Sequence, residues 1–113
     1  MNRKFVELLG FRKFIDSQES RASQMLALIQ AEILKDPEIG SVMAGTGGLR
    51  KFRVGLDNRG KSGGVRVLYV DFPEIQQTWL VTVFSKNTKA NLTKKEQNEI
   101  AGFIRAIRKE LDI

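Results

Sequence analysis

Apolar side chains recur along this chain at two different intervals, and the interval sets the element at each place. Lys4–Leu9 reads as a short strand or extended segment, and Phe11–Ile15 fits the opening of a first helix. Ala22, Met25, Leu26, Ile29 and Ile33 then recur at helical spacing, which predicts an amphipathic helix over Ser20–Lys35 with its stripe in the core. Ser17 and Ser20 are its candidate N-caps, and Asp36-Pro37 stops it. From Leu49 to Leu56 the spacing drops to two, so Phe52, Val54 and Leu56 share one strand face while Lys51 and Arg53 share the other. A long glycine-rich turn, DNRGKSGG (57–64), leads to a second strand in which Val65, Val67 and Tyr69 alternate with Arg66, Leu68 and Val70. Asp71–Gln77, with Pro73 inside it, predicts another turn, and Thr78–Ser85 is a third strand rich in β-branched and aromatic residues.

Three strands at short spacing imply an antiparallel meander. After it, Thr93-Lys94-Lys95-Glu96 has the spacing of a capping box, and Ile100, Phe103, Ile104, Ile107 and Leu111 follow on one helical face. The predicted class is α+β: an antiparallel sheet with N-terminal helices and a C-terminal helix packed on it. With 113 residues, no repeats and no linker, one domain spanning 1–113 is expected. The segment IGSVMAGTGGLRKF invites comparison with a phosphate loop, but Leu-Arg-Lys follows Gly48 and an alternating strand follows that. A tight connection entering a strand fits better than a nucleotide loop.

Charge changes this picture through its location. Residues 1–45 carry six basic and six acidic side chains, residues 46–95 carry ten basic and three acidic, and residues 96–113 carry three and four. The excess of +6 therefore sits in the middle segment, where a concentrated positive field favours polyanions. The plainer reading is a solvated, lysine-rich surface. No run of apolar residues approaches membrane length, and the N-terminal MNRKFVELLGF is too short in its apolar stretch to be a secretory signal. The absence of cysteine fits the cytosol, and a cytoplasmic location is expected.

The chain has no histidine and no cysteine. Zinc sites of those residues, Ser-His-Asp triads, thiol nucleophiles and histidine-pair ribonuclease chemistry are thereby excluded. Any acid–base work falls to Lys, Arg, Asp, Glu, Tyr or a substrate group. The carboxylates do not gather near the basic segment, so neither a metal nor a cofactor is expected. Lys51 and Arg53 point the same way from one strand; Arg66 can join them across the hairpin; Lys86 and Lys89, at and beyond the end of the third strand, complete a cationic bowl. Converging cations repel one another unless an anion sits between them, and a phosphodiester suits arginine's planar fork. Crowding by cations also lowers a lysine's affinity for its proton, which opens a general-base role. Charged residues on the exposed face of a one-sided sheet are the ordinary alternative. Trp79 reads as core or interface rather than a base-stacking platform, and Tyr69 reads as core.

The segments GTGGLRKFRV, GGVRVLYVDF and LVTVFSKNTKANLTKKE together resemble the RelE-superfamily toxins of type II toxin–antitoxin systems, most of all the HigB-type branch. The resemblance covers residues 20–110. It implies a microbial-ribonuclease-like fold and a ribosome-dependent messenger RNA endonuclease that inhibits translation. Such enzymes cut in the ribosomal A site by 2′-hydroxyl attack on the adjacent phosphate, without metal. On this resemblance Lys51 and Arg53 bind and activate the substrate and Arg66 stabilises the phosphorane. Lys86-Asn87 falls where these toxins carry a lysine followed by a catalytic arginine, so either Lys86 or Lys89 substitutes or protonation of the leaving group is weaker. The family's stacking tyrosine near the last helix has no counterpart here; Thr93 and its neighbours occupy that region. Arg50, Arg59, Lys61, Asn87, Lys89, Lys94 and Lys95 are the candidates for contact with RNA and ribosome. The implied partners are an antitoxin of helix-turn-helix type, the ribosome with its message, and operator DNA only through the antitoxin. Asn87 favours a second possibility, a non-catalytic RNA-binding or antitoxin-partner module on the same scaffold. A direct DNA-binding regulator ranks below both, because no basic recognition helix is visible.

Overall fold

A computed structural model describes residues 3–55, 64–85 and 91–113. Its elements run β1 (Lys4–Glu7), α1 (Leu9–Ser17), α2 (Ala22–Lys35), β2 (Ser41–Val42), β3 (Arg50–Val54), β4 (Val65–Phe72), β5 (Gln77–Ser85) and α3 (Lys94–Leu111). The sheet order is β1-β5-β4-β3-β2. The expected meander is its centre: β3, β4 and β5 pair antiparallel in succession. The sheet as a whole is mixed rather than antiparallel, because β1 joins the far edge parallel to β5, with Phe5 opposite Thr78 and Val6 opposite Trp79. A strand preceding two helices can reach β5 only through a long-range crossover, which local periodicity does not encode.

Both sheet faces are covered, so the sheet is not the one-sided kind weighed above as the ordinary alternative. On one face Val54, Val65, Val67, Tyr69, Leu80 and Val83 pack with Phe11 and Ile15 of α1 and with Met25, Ile29 and Ile33 of α2. On the other, Leu49, Leu68, Val70, Phe72 and Val81 pack with Ile104 and Ile107 of α3. This explains why β4 is apolar at both parities from Val67 to Val70.

Local signals explain most element ends. Thr93 Oγ1 accepts from the Glu96 N–H at 3.1 Å while Glu96 Oε1 accepts from the Thr93 N–H at 2.8 Å, so α3 opens on a complete capping box. Of the predicted α3 stripe, Ile104 and Ile107 are buried, whereas Phe103 and Leu111 are each 41% exposed and Ala101 takes a core place. Neither Ser17 nor Ser20 caps α2. Ser17 donates to Phe14 O inside α1, and a 3-10 turn at Glu19–Arg21 intervenes before Ala22. The turn after β4 is shorter than expected, since Asp71 and Phe72 still pair with Thr78 and Gln77. Thr78 Oγ1 donates to Asp71 Oδ1 at 2.7 Å and Phe72 is fully buried, so strand pairing persists up to Pro73.

The GTGG segment joins β2 to β3, the short hairpin added at the sheet edge. Thr46, fully buried, accepts from the Leu49 N–H and donates to Met43 O, closing the loop on itself. Gly47 has φ +77°, and a Cβ there would press on Ile104 of α3. Arg108 of α3 donates to Gly47 O at 3.3 Å and lies 5.0 Å from the centre of the Phe72 ring. The glycines thus let α3 sit down on the entry to β3, a structural role in place of phosphate binding.

Tyr69 is buried as expected, and its hydroxyl is fully used. It donates to Pro37 O at 2.8 Å and accepts from the Gly40 N–H at 3.1 Å. Burial raises its pKa above the ordinary tyrosine value, partly offset by the Gly40 hydrogen bond. A raised folded-state pKa means this contribution to stability is whole below about pH 10 and is lost as pH climbs through the folded value. Tyr69→Phe is expected to cost about 1–3 kcal/mol at neutral pH by leaving the Gly40 N–H unpaired. It should also flatten the decline in stability between about pH 9 and 11. Urea melts of both proteins across that range test it; parallel pH profiles would contradict the assignment.

Candidate functional site

Parity and register bring the predicted cations together. In the β3–β4 ladder Lys51 stands opposite Leu68, and Arg53 stands directly opposite Arg66. On the next strand Arg66 stands opposite Phe84. Lys51, Arg53 and Arg66 share the face on which Leu49 and Leu68 are covered by α3, but they lie where that cover has ended: Arg53 is exposed and the other two are half-buried. Arg53 and Arg66 have Cα atoms about 4.5–5.5 Å apart as a cross-strand pair. Like charges so placed oppose pairing.

The three cations line an open depression of about 360 Å³ with Ile39, Ser41 and Phe52. Among the described residues no carboxylate lines it. Arg66 Nη1 donates to Asn91 Oδ1 at 3.4 Å, a long contact, and the buried Arg66 Nε has no hydrogen-bond partner among the described residues. A buried guanidinium N–H without an acceptor is costly, and an anion with several oxygens would satisfy it. The depression can therefore hold a phosphodiester between two guanidinium groups and one ammonium group, with no imidazole or thiol.

Arg50 does not join this group. It points to the opposite face of β3, and its Nη1 donates to Gly40 O at 2.6 Å and to Glu38 O at 3.3 Å. Its guanidinium holds the turn before β2, so its assignment to RNA contact is replaced by a structural one. Lys94 and Lys95 are exposed on the first turn of α3. Cations at a helix N-terminus are disfavoured by the helix dipole, so no stabilising local effect accounts for them. Arg59, Lys61, Lys86, Asn87 and Lys89 lie outside the described residues. Three lining or contacting residues, Ile39, Ser41 and Asn91, had no signal in the sequence, because each meets the cations only through tertiary packing.

Comparison with known proteins bears on the family and the fold. A family model described as the RelE toxin of the RelE/RelB toxin–antitoxin system matches residues 11–110. Among solved structures, E. coli toxin RelE with two arginine-to-alanine substitutions, in the free state, superposes with a TM-score of 0.60 at 18% identity, over 89% of this chain and 95% of that one. The isolated E. coli RelE toxin gives 0.57 at 16% identity, over 90% and 99%. The intact E. coli RelBE toxin–antitoxin complex gives 0.55 at 18% identity, over 73% and 94%. At these identities the superpositions establish a shared α+β fold. Among the described residues no helix is long and apolar enough to cross a membrane.

Proposed function

Because this chain belongs to the RelE family of toxins from toxin–antitoxin systems, we propose that it is a ribosome-dependent, metal-independent endoribonuclease that cuts messenger RNA in the A site and so stops translation in the cytoplasm. The observation that carries this reading is the facing pair Arg53–Arg66 with Lys51 beside it, three cations around a depression that no carboxylate lines among the described residues. The 2′-oxygen forms a bond to phosphorus as the bond to the 5′-oxygen breaks, leaving a 2′,3′-cyclic phosphate and a 5′-hydroxyl. Arg53 and Arg66 hold the non-bridging oxygens as their charge grows, which is where fixed donors lower the barrier most. Arginine keeps its proton, so within the trio it is Lys51, in its neutral amine form, that takes the 2′-hydroxyl proton and becomes an ammonium group. Lys86 or Lys89 returns a proton to the 5′-oxygen, since asparagine at position 87 has none to give.

The segments GTGGLRK and GGVRVLYV support placement in the HigB-type branch, with a helix-turn-helix antitoxin as the inhibitor and operator DNA reached only through it. Lys94 and Lys95, with Arg59 and Lys61, supply the positive surface for ribosomal RNA. The test is cleavage of a message held with a sense codon in the A site of purified ribosomes. Fragments ending in a cyclic phosphate are expected, abolished when the scissile nucleotide is 2′-deoxy. Binding without cleavage would instead identify a non-catalytic partner module.

A further inference from the structure

The depression has a second, uncharged end. β2 begins at Ser41, opposite Lys51, so among the described residues no strand pairs with this edge of β3 from Phe52 onward. Around that edge from the cations, since Phe52 has the opposite parity to Lys51 and Arg53, Ile39, 37% exposed, and the half-buried Phe52 form an apolar wall beside the Ser41 hydroxyl. This wall is held by buried chemistry. Phe52 meets Tyr69 edge to face at 5.6 Å and 88°. The Tyr69 hydroxyl binds both Pro37 O and the Gly40 N–H, and Arg50 grips Gly40 O at 2.6 Å. The Ile39 N–H donates to Asp36 O at 2.9 Å, which closes the turn that carries it. A phosphate alone needs the cations and nothing else. A volume of about 360 Å³, split into a cationic end and a rigid apolar end with one hydroxyl, matches a nucleotide: phosphate at one end, base at the other.

We infer that Ile39, Phe52 and Ser41 form a base subsite, in which a nucleobase adjoining the bound phosphate packs on Phe52 and Ile39 and hydrogen-bonds to the Ser41 hydroxyl. The inference rests on the RNA-cleavage reading and adds to it a positioning role: the base fixes the sugar, and so the line of the 2′-oxygen to phosphorus.

The experiment crosses protein variants with messages carrying an abasic nucleotide 5′ or 3′ of the scissile bond in the A site. For the unmodified protein one of these two messages should lose about tenfold in kcat/KM, the worth of one base stacked on an aromatic ring. Phe52→Leu keeps apolar volume for the core and removes the ring. It should lose about tenfold on the normal message and almost nothing further on the abasic one. Ile39→Ala, at an exposed position, should act the same way more weakly and guards against a folding defect in the first variant. If both variants retain the full abasic penalty, the subsite is wrong. An unchanged penalty with weakened antitoxin binding would assign this wall to the antitoxin and also overturn it. If the unmodified protein cuts neither message, the endonuclease reading itself has failed.

Discussion

Arg66→Ala is expected to slow A-site cleavage by about 10²–10³-fold, the loss typical of removing one donor aimed at developing negative charge. Lys51→Ala should act comparably, and neither variant should prevent folding. The more telling variant is Arg53→Gln. Arg53 is exposed and faces Arg66 across the ladder, so removing its charge relieves a like-charge pair. Stability should then rise by about 0.2–1 kcal/mol while cleavage falls. Opposite signs for stability and activity identify a group kept for its ligand rather than for the fold. Urea melts and single-turnover cleavage on the same samples give both numbers. If Arg53→Gln destabilises the protein and leaves cleavage untouched, these cations are ordinary surface charges.

The largest effect on stability is expected at the opposite sheet edge. Arg3 Nη1 lies 3.0 Å from Asp71 Oδ1, and the two side chains are only 7% and 9% exposed. Thr78 Oγ1 donates to the same carboxylate oxygen. Arg3, just before β1, thereby ties that strand to the β4–β5 turn. Arg3→Ala should cost about 3–5 kcal/mol, because it strands a buried carboxylate rather than because the pair is strongly attractive in net terms. Asp71→Asn in the same chain should recover a large part of that loss, since the amide is neutral and its oxygen still accepts from Thr78. Denaturant melts of the single and double variants measure the coupling. Additive losses would mean that β1 is held by its backbone ladder alone.

The placement of the three described cations in the candidate site was readable from the sequence. The two-residue period over 49–56 puts Lys51 and Arg53 on one face and Phe52 on the other, and a hairpin from β3 to β4 leaves few registers for Arg66. Side-chain parity is a property of the strand itself, so it survives any tertiary arrangement. Arg50 shows where that argument stops. It belongs to the same basic run, and its own parity sends it to the face of Phe52; what parity does not record is that backbone carbonyls from the turn before β2 absorb its charge there. Counting charges could not separate it from Lys51; knowing which turn folds back over that face could.

Local chemistry therefore determined the α3 capping box, the alternating faces of β3 and β4, the central meander, and an enzyme vocabulary without imidazole or thiol. These follow from interactions between residues a few positions apart or from the chain's inventory of side chains. Tertiary structure alone decided that β1 runs parallel to β5, that α3 covers the second sheet face only as far as the cations, and that Ile39, Ser41 and Asn91 border the depression. Each of these is a contact between distant segments, settled by which apolar surfaces can be buried together, and no local pattern records that competition.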